Sequence, residues 1–398
     1  MAQFSLADAS NLFKIKYGKL SENTYNSANV LLARAKKTYD FVGKQHSRAV
    51  PISMSGGVGS GSLPTANFSD IGDAQLIAKK MYAVIQIERE AVKAASNNEG
   101  AFVEMTKFSV QKGVESWMRN MSRALFSDGS GALGTIAAGG VSGTGPWDCV
   151  ISAATWKEAN FEEKDYVNLT GAIGVKLEVT AVDPATRTVT LSAVAGGGSY
   201  TPVAGDVIYM QGSQGADPQG LKGVLTPDVS VTSLYGINIQ RRWQGTELAA
   251  GGSGLTTDLM NQQMLEIQRK CGKVPNLIIT SYTQFRKLLN VLEDQKQYIV
   301  EPRSPELVGK VSFRGVEFMS SAGPVGVFPE RFCEDDRMYM LNDNFIEIAH
   351  RPDFGWFDDD GTVFLRDASS DSYSARFGGY LQSYIAPSFH GVITGLAT

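Results

Sequence analysis

Residues 101–134 read AFVEMTKFSVQKGVESWMRNMSRALFSDGSGALG. Val110, Val114, Trp117, Met118, Met121 and Leu125 recur at steps of three and four, which places them on one stripe and predicts an amphipathic helix over 101–126. Asn97 or Asn98 can cap its start, and Asp128-Gly129 ends it. At ~1.5 Å per residue the helix is about 40 Å long, enough to serve as a structural axis. Gly113 weakens it mid-length, which predicts close approach of another backbone there.

Upstream, residues 1–48 carry Lys14, Lys16, Lys19, Arg34, Lys36, Lys37, Lys44 and Arg48 against Asp8, Glu22 and Asp40, which makes a basic N-terminal arm. Within it SENTYNSANVLLARAKKTYDFV reads as a helix capped by Ser21 or Asn23. From residue 49 to 95 the pattern changes to strands: VPISMS, a flexible GGVGSGSLP tip, and MYAVIQIERE. Two strands joined by a Gly/Ser-rich stretch form a protruding β-arm, marginal alone in water and expected to lie on another subunit.

Downstream of the long helix, GVKLEVTAVDPATRTVTLSAV reads as a hairpin with VDPATRT as its turn, and GDVIYMQG as a further strand. Short strands at even spacing predict a small β-barrel or sheet inserted over residues 147–212. TTDLMNQQMLEIQRKCG is a helix stopped by Gly272, PNLIIT a buried strand and YTQFRKLLNVLED a second helix. VSFRGVEFMSS, RMYMLNDNFIEIAHR, GTVFLRDA, YLQSYIAP and HGVITGLA alternate as strands. The fold class is α+β with at least three structural parts.

The chemistry is sparse. The 398 residues are 43% hydrophobic and 20% charged with net charge −4, the profile of an ordered protein without a global electrostatic footprint for nucleic acid. No apolar run approaches the ~18 residues needed to span a bilayer, and no membrane partner is expected. Cys149, Cys271 and Cys333 are far apart and read as buried free thiols. His46, His350 and His390 lack metal-ligand spacing, and no GxSxG elbow or P-loop occurs, so neither catalytic residues, a metal nor a cofactor is expected. Gly129–Gly134 matches GxGxxG but follows a helix and runs into more glycine, which makes it a junction. Asp358–Gly361 reads as a turn, and the aromatic FGWFDDDGTVFLRDASSDSYSARFGGY as a strand packing its rings into a core.

Basic helical N-arm, the VPISMSGGVGSGSLP…KKMYAVIQIEREAV β-arm, then the long helix running into glycine: in this order the chain resembles the major capsid protein of a tailed double-stranded DNA bacteriophage, with the Hong Kong 97-type capsid fold. The resemblance implies an N-arm over 1–48, an extended loop over 49–95, and a peripheral domain with its spine helix over 96–146. It implies a mainly axial domain over 213–340 and peripheral return strands over 341–398, with 147–212 as an inserted β-domain. It further implies a structural protein, not an enzyme, that self-assembles into hexamers and pentamers around the phage genome. Expected partners are other copies of itself, a separate scaffold protein, a portal, a cement protein in some members, and packaged DNA through weak contacts. The expected place is the virion capsid, assembled in the host cytoplasm. No long coiled-coil segment precedes the N-arm, which is the reason to expect a separate scaffold. Candidate assembly-interface residues are Arg48, Lys79, Lys80, Lys107, Trp117, Arg119 and Arg123. An encapsulin-like shell protein and an α+β enzyme with a dispersed site are the alternatives.

Overall fold

The computed structural model describes residues 29–38, 41, 45–53, 70–88, 99–294, 316–320, 323–357, 364–366 and 371–398. The expected caps Ser21, Asn23, Asn97 and Asn98, the arm tip and the Asp358–Gly361 turn lie outside them. Helix α1 is short, Val30–Arg34, because Asn29 caps it by accepting from the Leu31 and Leu32 amides and Ala35 then turns extended. Strand β1, Lys36–Thr38, follows at once. The long helix expected across this region is therefore corrected: tertiary strand pairing overrides local periodicity.

Strand β2, Gln45–Ser53, pairs antiparallel with β3, Asp70–Ile77, as a two-stranded ribbon. Strand β4, Lys79–Glu88, leaves that ribbon and pairs elsewhere. MYAVIQIE is thus not the second strand of the arm. The ribbon's inner side is also seated on its own chain. Ala74 and Leu76 are buried, and the Gln75 amide donates to the Tyr235 carbonyl at 2.8 Å.

Helix α2, Glu99–Phe126, is the predicted spine, about 42 Å long at ~1.5 Å per residue. Val114, Trp117, Met118, Met121 and Leu125 are buried as the stripe requires. A Cβ on Gly113 would lie 2.6 Å from Ile85 Cγ1, so a β4 side chain, not a backbone, makes the close approach.

The closed six-stranded barrel follows, built from β5 Ala132–Ser142, β6 Trp147–Ile151, β7 Tyr166–Leu169, β8 Ala172–Asp183, β9 Thr188–Ala193 and β10 Val207–Met210. It opens at Ala132, earlier than Trp147, since β5 closes it by pairing with both β6 and β10. The predicted hairpin is β8–β9, its turn held by Asp183, which accepts from the Ala185 amide at 3.0 Å and the Thr186 hydroxyl at 2.6 Å. The barrel has its own core, including Trp147, Cys149, Val179, Leu191 and Ile208.

After α3, Leu221–Leu225, a small hairpin of β11 Ser233–Leu234 and β12 Ile237–Asn238 carries the ribbon. The axial part contains β13 Thr246–Ala249, α4 Thr257–Cys271, β14 Leu277–Thr280, α5 Tyr282–Asp294, β15 Val316–Ser320, β16 Gly323–Pro329 and β17 Met338–Leu341. Gly272 ends α4 with φ 70°, the left-handed stop that its sequence predicts. The last strands are β18 Ile346–Trp356, β19 Phe364–Arg366, β20 Ser372–Ile385 and β21 Gly391–Thr394.

Two sheets organise the body. One runs β1-β18-β20 with β4 and β19 both on β20, and its inner face packs on α2. The other runs β13-β21-β17-β14-β16-β15, so the chain's last strand returns to the axial sheet while β20 stays with the spine. Alternation splits the axial sheet's burial: Leu277, Ile279, Tyr339 and Leu341 join the core under α2, whereas Ile278, Met338 and Met340 join α4 and α5 in a second core. No helix among the described residues is long and apolar enough to cross a membrane.

Candidate assembly surface

The charged and aromatic groups expected at interfaces divide into those the fold uses internally and those it leaves at the surface. Trp117 is buried, donates its indole N–H to the Met81 carbonyl at 3.3 Å, and packs edge-on to Phe377 with ring centroids 5.5 Å apart. Arg119 reaches down from α2 to the barrel, pairing with Glu162 and with Asp165 at 2.5 Å. Arg123 makes a buried ion pair with Asp217 at 2.8 Å. Burial pushes the Asp217 carboxyl up from its ordinary value, and the Arg123 charge opposes that shift. Within the protomer, then, Trp117 is packed in the core, and Arg119 and Arg123 are engaged by carboxylates of the barrel and of the segment after it.

Arg48 on β2 forms a two-pronged pair with Glu347 of β18, one contact at 3.1 Å, and stacks its guanidinium 4.7 Å from the Tyr384 ring. This fastens the ribbon to the peripheral sheet. Lys79 donates to the Gly215 carbonyl at 2.7 Å. Lys80 is exposed, with its ammonium 5.8 Å from the Tyr380 ring. Lys107 falls in the first half of α2, and its side chain is outside what is described.

A further tether was invisible in the sequence. Lys157, between β6 and β7, pairs with buried Glu334 at 2.8 Å and donates to the Phe332 carbonyl at 3.2 Å. Tyr339 donates its hydroxyl to the same carboxylate at 2.9 Å. Burial works to raise the Glu334 pKa, but the Lys157 and Arg337 charges and the Lys157 hydrogen bond hold it below the ordinary carboxylate range. Barrel, spine and axial sheet are thereby locked at Arg119, Arg123 and Lys157.

Part of the surface left outward on β3 and β4 is apolar. On β3, Ile71 is 65% and Ile77 58% exposed; on β4, Tyr82 is 46% and Val84 64% exposed. The register sets Lys80 opposite Tyr380, Tyr82 opposite Gly378 and Val84 opposite Arg376, so these side chains share the sheet face opposite to α2. Phe357 extends the patch, its ring 5.6 Å from Tyr82 and 6.3 Å from Tyr380. The alternation of KKMYAVIQIE predicts two faces, yet both carry apolar residues, and sequence does not say which is inward. Among the described residues no group of three or more His, Cys, Asp or Glu is placed to hold a metal ion.

No protein-family model matches the sequence, and no curated protein does. A chain of the cyanophage A-1(L) capsid asymmetric unit matches with a TM-score of 0.53 over 94% of this chain and 94% of that one, at 11% identity. The chain has a phage-capsid fold. Other solved structures that match include Mycobacterium phage Adephagia, at 12% identity over 99% of this chain and 98% of that one with a TM-score of 0.43. The holo-SrpI encapsulin complex of Synechococcus elongatus matches at 7% identity over 92% and 86%, also with a TM-score of 0.43. In this chain the long helix, the ribbon and the barrel are joined to a sheet whose face away from α2 carries the apolar patch.

Proposed function

We propose that the protein is the major capsid protein of a tailed phage, self-assembling into hexamers and pentamers that close an icosahedral head around double-stranded DNA. The observation that carries this reading is the near-complete match to a cyanophage capsid chain. The exposed Ile71, Ile77, Tyr82 and Val84 support it, because apolar side chains on a projecting ribbon and an adjoining sheet face suit burial against another subunit. Closed shells reuse the same surfaces around each symmetry axis, so one chain suffices for many contacts. A net charge of −4 suits a container that does not grip its contents. On this reading the chain has no catalytic role. It works with a separate scaffold and a portal, resides in the virion and assembles in the host cytoplasm.

The test is expression of the chain alone, followed by negative-stain microscopy and analytical ultracentrifugation. Rings of five or six, sheets, tubes or closed particles are expected. A concentration-independent monomer, unchanged on adding a scaffold protein encoded beside it, overturns the proposal.

A further inference from the structure

Residues 240–243 form a tight turn, closed by the Trp243 amide donating to the Gln240 carbonyl at 2.7 Å. Trp243 anchors it: the side chain is buried and its indole N–H donates to the Leu234 carbonyl at 3.1 Å. Arg241 and Arg242, the two residues at the tip of the turn, are exposed. Lys270, in the last turn of α4, donates to the Gln244 carbonyl at 2.5 Å and to the Gly245 carbonyl at 3.1 Å, which fastens the turn to the helix end. Arg269 and Lys273, close to Lys270 in sequence, are exposed as well. These five cations gather at one place in a chain whose net charge is −4.

We infer that this end of α4 and the turn beside it form a contact surface for the phosphate backbone of double-stranded DNA. The inference rests on the reading of the chain as a shell around DNA, and names where the wall meets its contents. The dipole of a helix favours cations in its last turn, which accounts for Arg269 and Lys270. It does not account for Arg241, Arg242 and Lys273, which belong to other segments. The carboxylates nearby are already engaged: Glu266 pairs with Arg269 at 2.5 Å, and Asp343 pairs with Arg34 at 3.4 Å and accepts from Asn276 at 2.5 Å. Among the described residues, Arg241, Arg242 and Lys273 make no ion pair. Burial pushes the Lys270 pKa down from its ordinary value, and the Arg241 charge pushes the same way against an opposite pull from Cys271. A phosphate group would supply the negative charge that this cluster lacks.

The surface is built for a polyanion and not for another protein. A protein interface has an apolar centre with its charges at the rim. Here no large apolar side chain is exposed among residues 240–245 or 269–276. Gln240 and Gln244, exposed beside the two arginines, carry amides that also donate to phosphate oxygens. A polar, positively charged surface is what DNA contact uses. The contact is also light. Three unpaired cations displace about three counterions, so log affinity is expected to fall against log salt with a slope of about −2.7. Such a wall touches DNA without holding it.

The test is fluorescence anisotropy of a labelled DNA duplex of random sequence, titrated with the full chain below the concentration at which particles sediment. Between about 50 and 200 mM salt the affinity is expected to fall roughly fortyfold. With Arg241→Gln and Arg242→Gln together, binding at the lower salt is expected to weaken on the order of tenfold and to fall only about threefold over the same range. Lys164→Gln, on the exposed surface of the barrel, is the control and should match the parent. No binding at the lower salt, an unchanged salt dependence in the double variant, or an equal loss in the control overturns the inference. So does tighter binding of polyglutamate than of the duplex, which would mark the surface as one for an acidic protein. If the double variant does not fold, Lys273→Gln serves: its fall over the same range is expected to shrink to about twelvefold, and an unchanged fall again overturns it. Sedimentation of the parent at higher concentration reads the shell separately. Particles without this DNA contact leave the shell standing alone, and DNA contact without particles leaves the surface standing alone.

Discussion

Gly113 shows how one residue can oppose its own element. Alanine there gains roughly 1 kcal/mol of helix propensity, but its methyl would sit 2.6–2.7 Å from Ile85 Cγ1 and Cδ1 across the helix–sheet contact. Overpacking of that kind costs about 1–3 kcal/mol, so Gly113→Ala is expected to lower the thermal midpoint. The same change in an Ile85→Ala background is expected not to lower it, and equal losses in both backgrounds would refute the steric account. Lys157 and Glu334 make the electrostatic counterpart. Removing Lys157 alone, as Lys157→Met, strands a buried carboxylate and is expected to cost about 3–5 kcal/mol. Lys157→Met with Glu334→Met is expected to cost less than the single change, read from denaturant midpoints. Because the Glu334 pKa is depressed, its contribution is present above its ordinary 4.5 and is lost as pH falls through the lower folded value. The single variant should therefore lose most against the parent at neutral pH and less in acid.

The elements divide by how locally they are encoded. The spine was legible because its stripe from Val114 to Leu125 and its Asp128-Gly129 stop are all within one stretch, and the β8–β9 hairpin because Asp183 builds its own turn. The short α1 was not, since the periodicity of VLLARA continues while β18 captures Lys36–Thr38 from 311 positions away in register with Glu347–Ala349. The arm was half legible: β2 was read correctly as a strand, but its partner DIGDAQLI carries two Asp and a Gly, and its apolar Ala74 and Leu76 signal a strand only once the ribbon lies on β11–β12. Site residues fared similarly: their charge is visible, and whether Arg123 meets Asp217 or solvent is decided by a barrel that intervenes between them. The barrel's separate core yields a prediction at this scale. Leu191→Ala opens a cavity in that core and is expected to cost about 2–5 kcal/mol. Hydrogen exchange should show β6, β8 and β9 losing protection while β14 and β17 keep theirs; matching losses in the axial sheet would mean that barrel and body unfold as one unit.

At the scale of the whole molecule, the question is what the outer sheet face is for. Val84 contributes little to the protomer, being 64% exposed on a strand whose inward neighbours Met81 and Ile85 do the packing against α2. Exposed positions of that kind tolerate substitution within about 0.5 kcal/mol. Opposite it stands Arg376, so an acidic residue at 84 would gain a cross-strand partner and a lysine would not. Val84→Lys therefore isolates the surface from the fold: it places a second cation beside Arg376 in the middle of a patch formed by Tyr82, Tyr380 and Phe357. If that patch is buried between subunits, the variant must desolvate an unpaired charge on assembly, a cost of several kcal/mol repeated at every copy of the interface. The expected result is a protein with the parent's circular dichroism and nearly its thermal midpoint as a dissociated protomer, sedimenting as a small species under conditions where the parent forms large particles. Val84→Thr, which keeps size and β-branching without charge, is expected to assemble. Particles of normal yield and form from Val84→Lys would show that this face stays in solvent, and would move the interface to the ribbon residues Ile71 and Ile77, where the same pair of substitutions can be read in the same way.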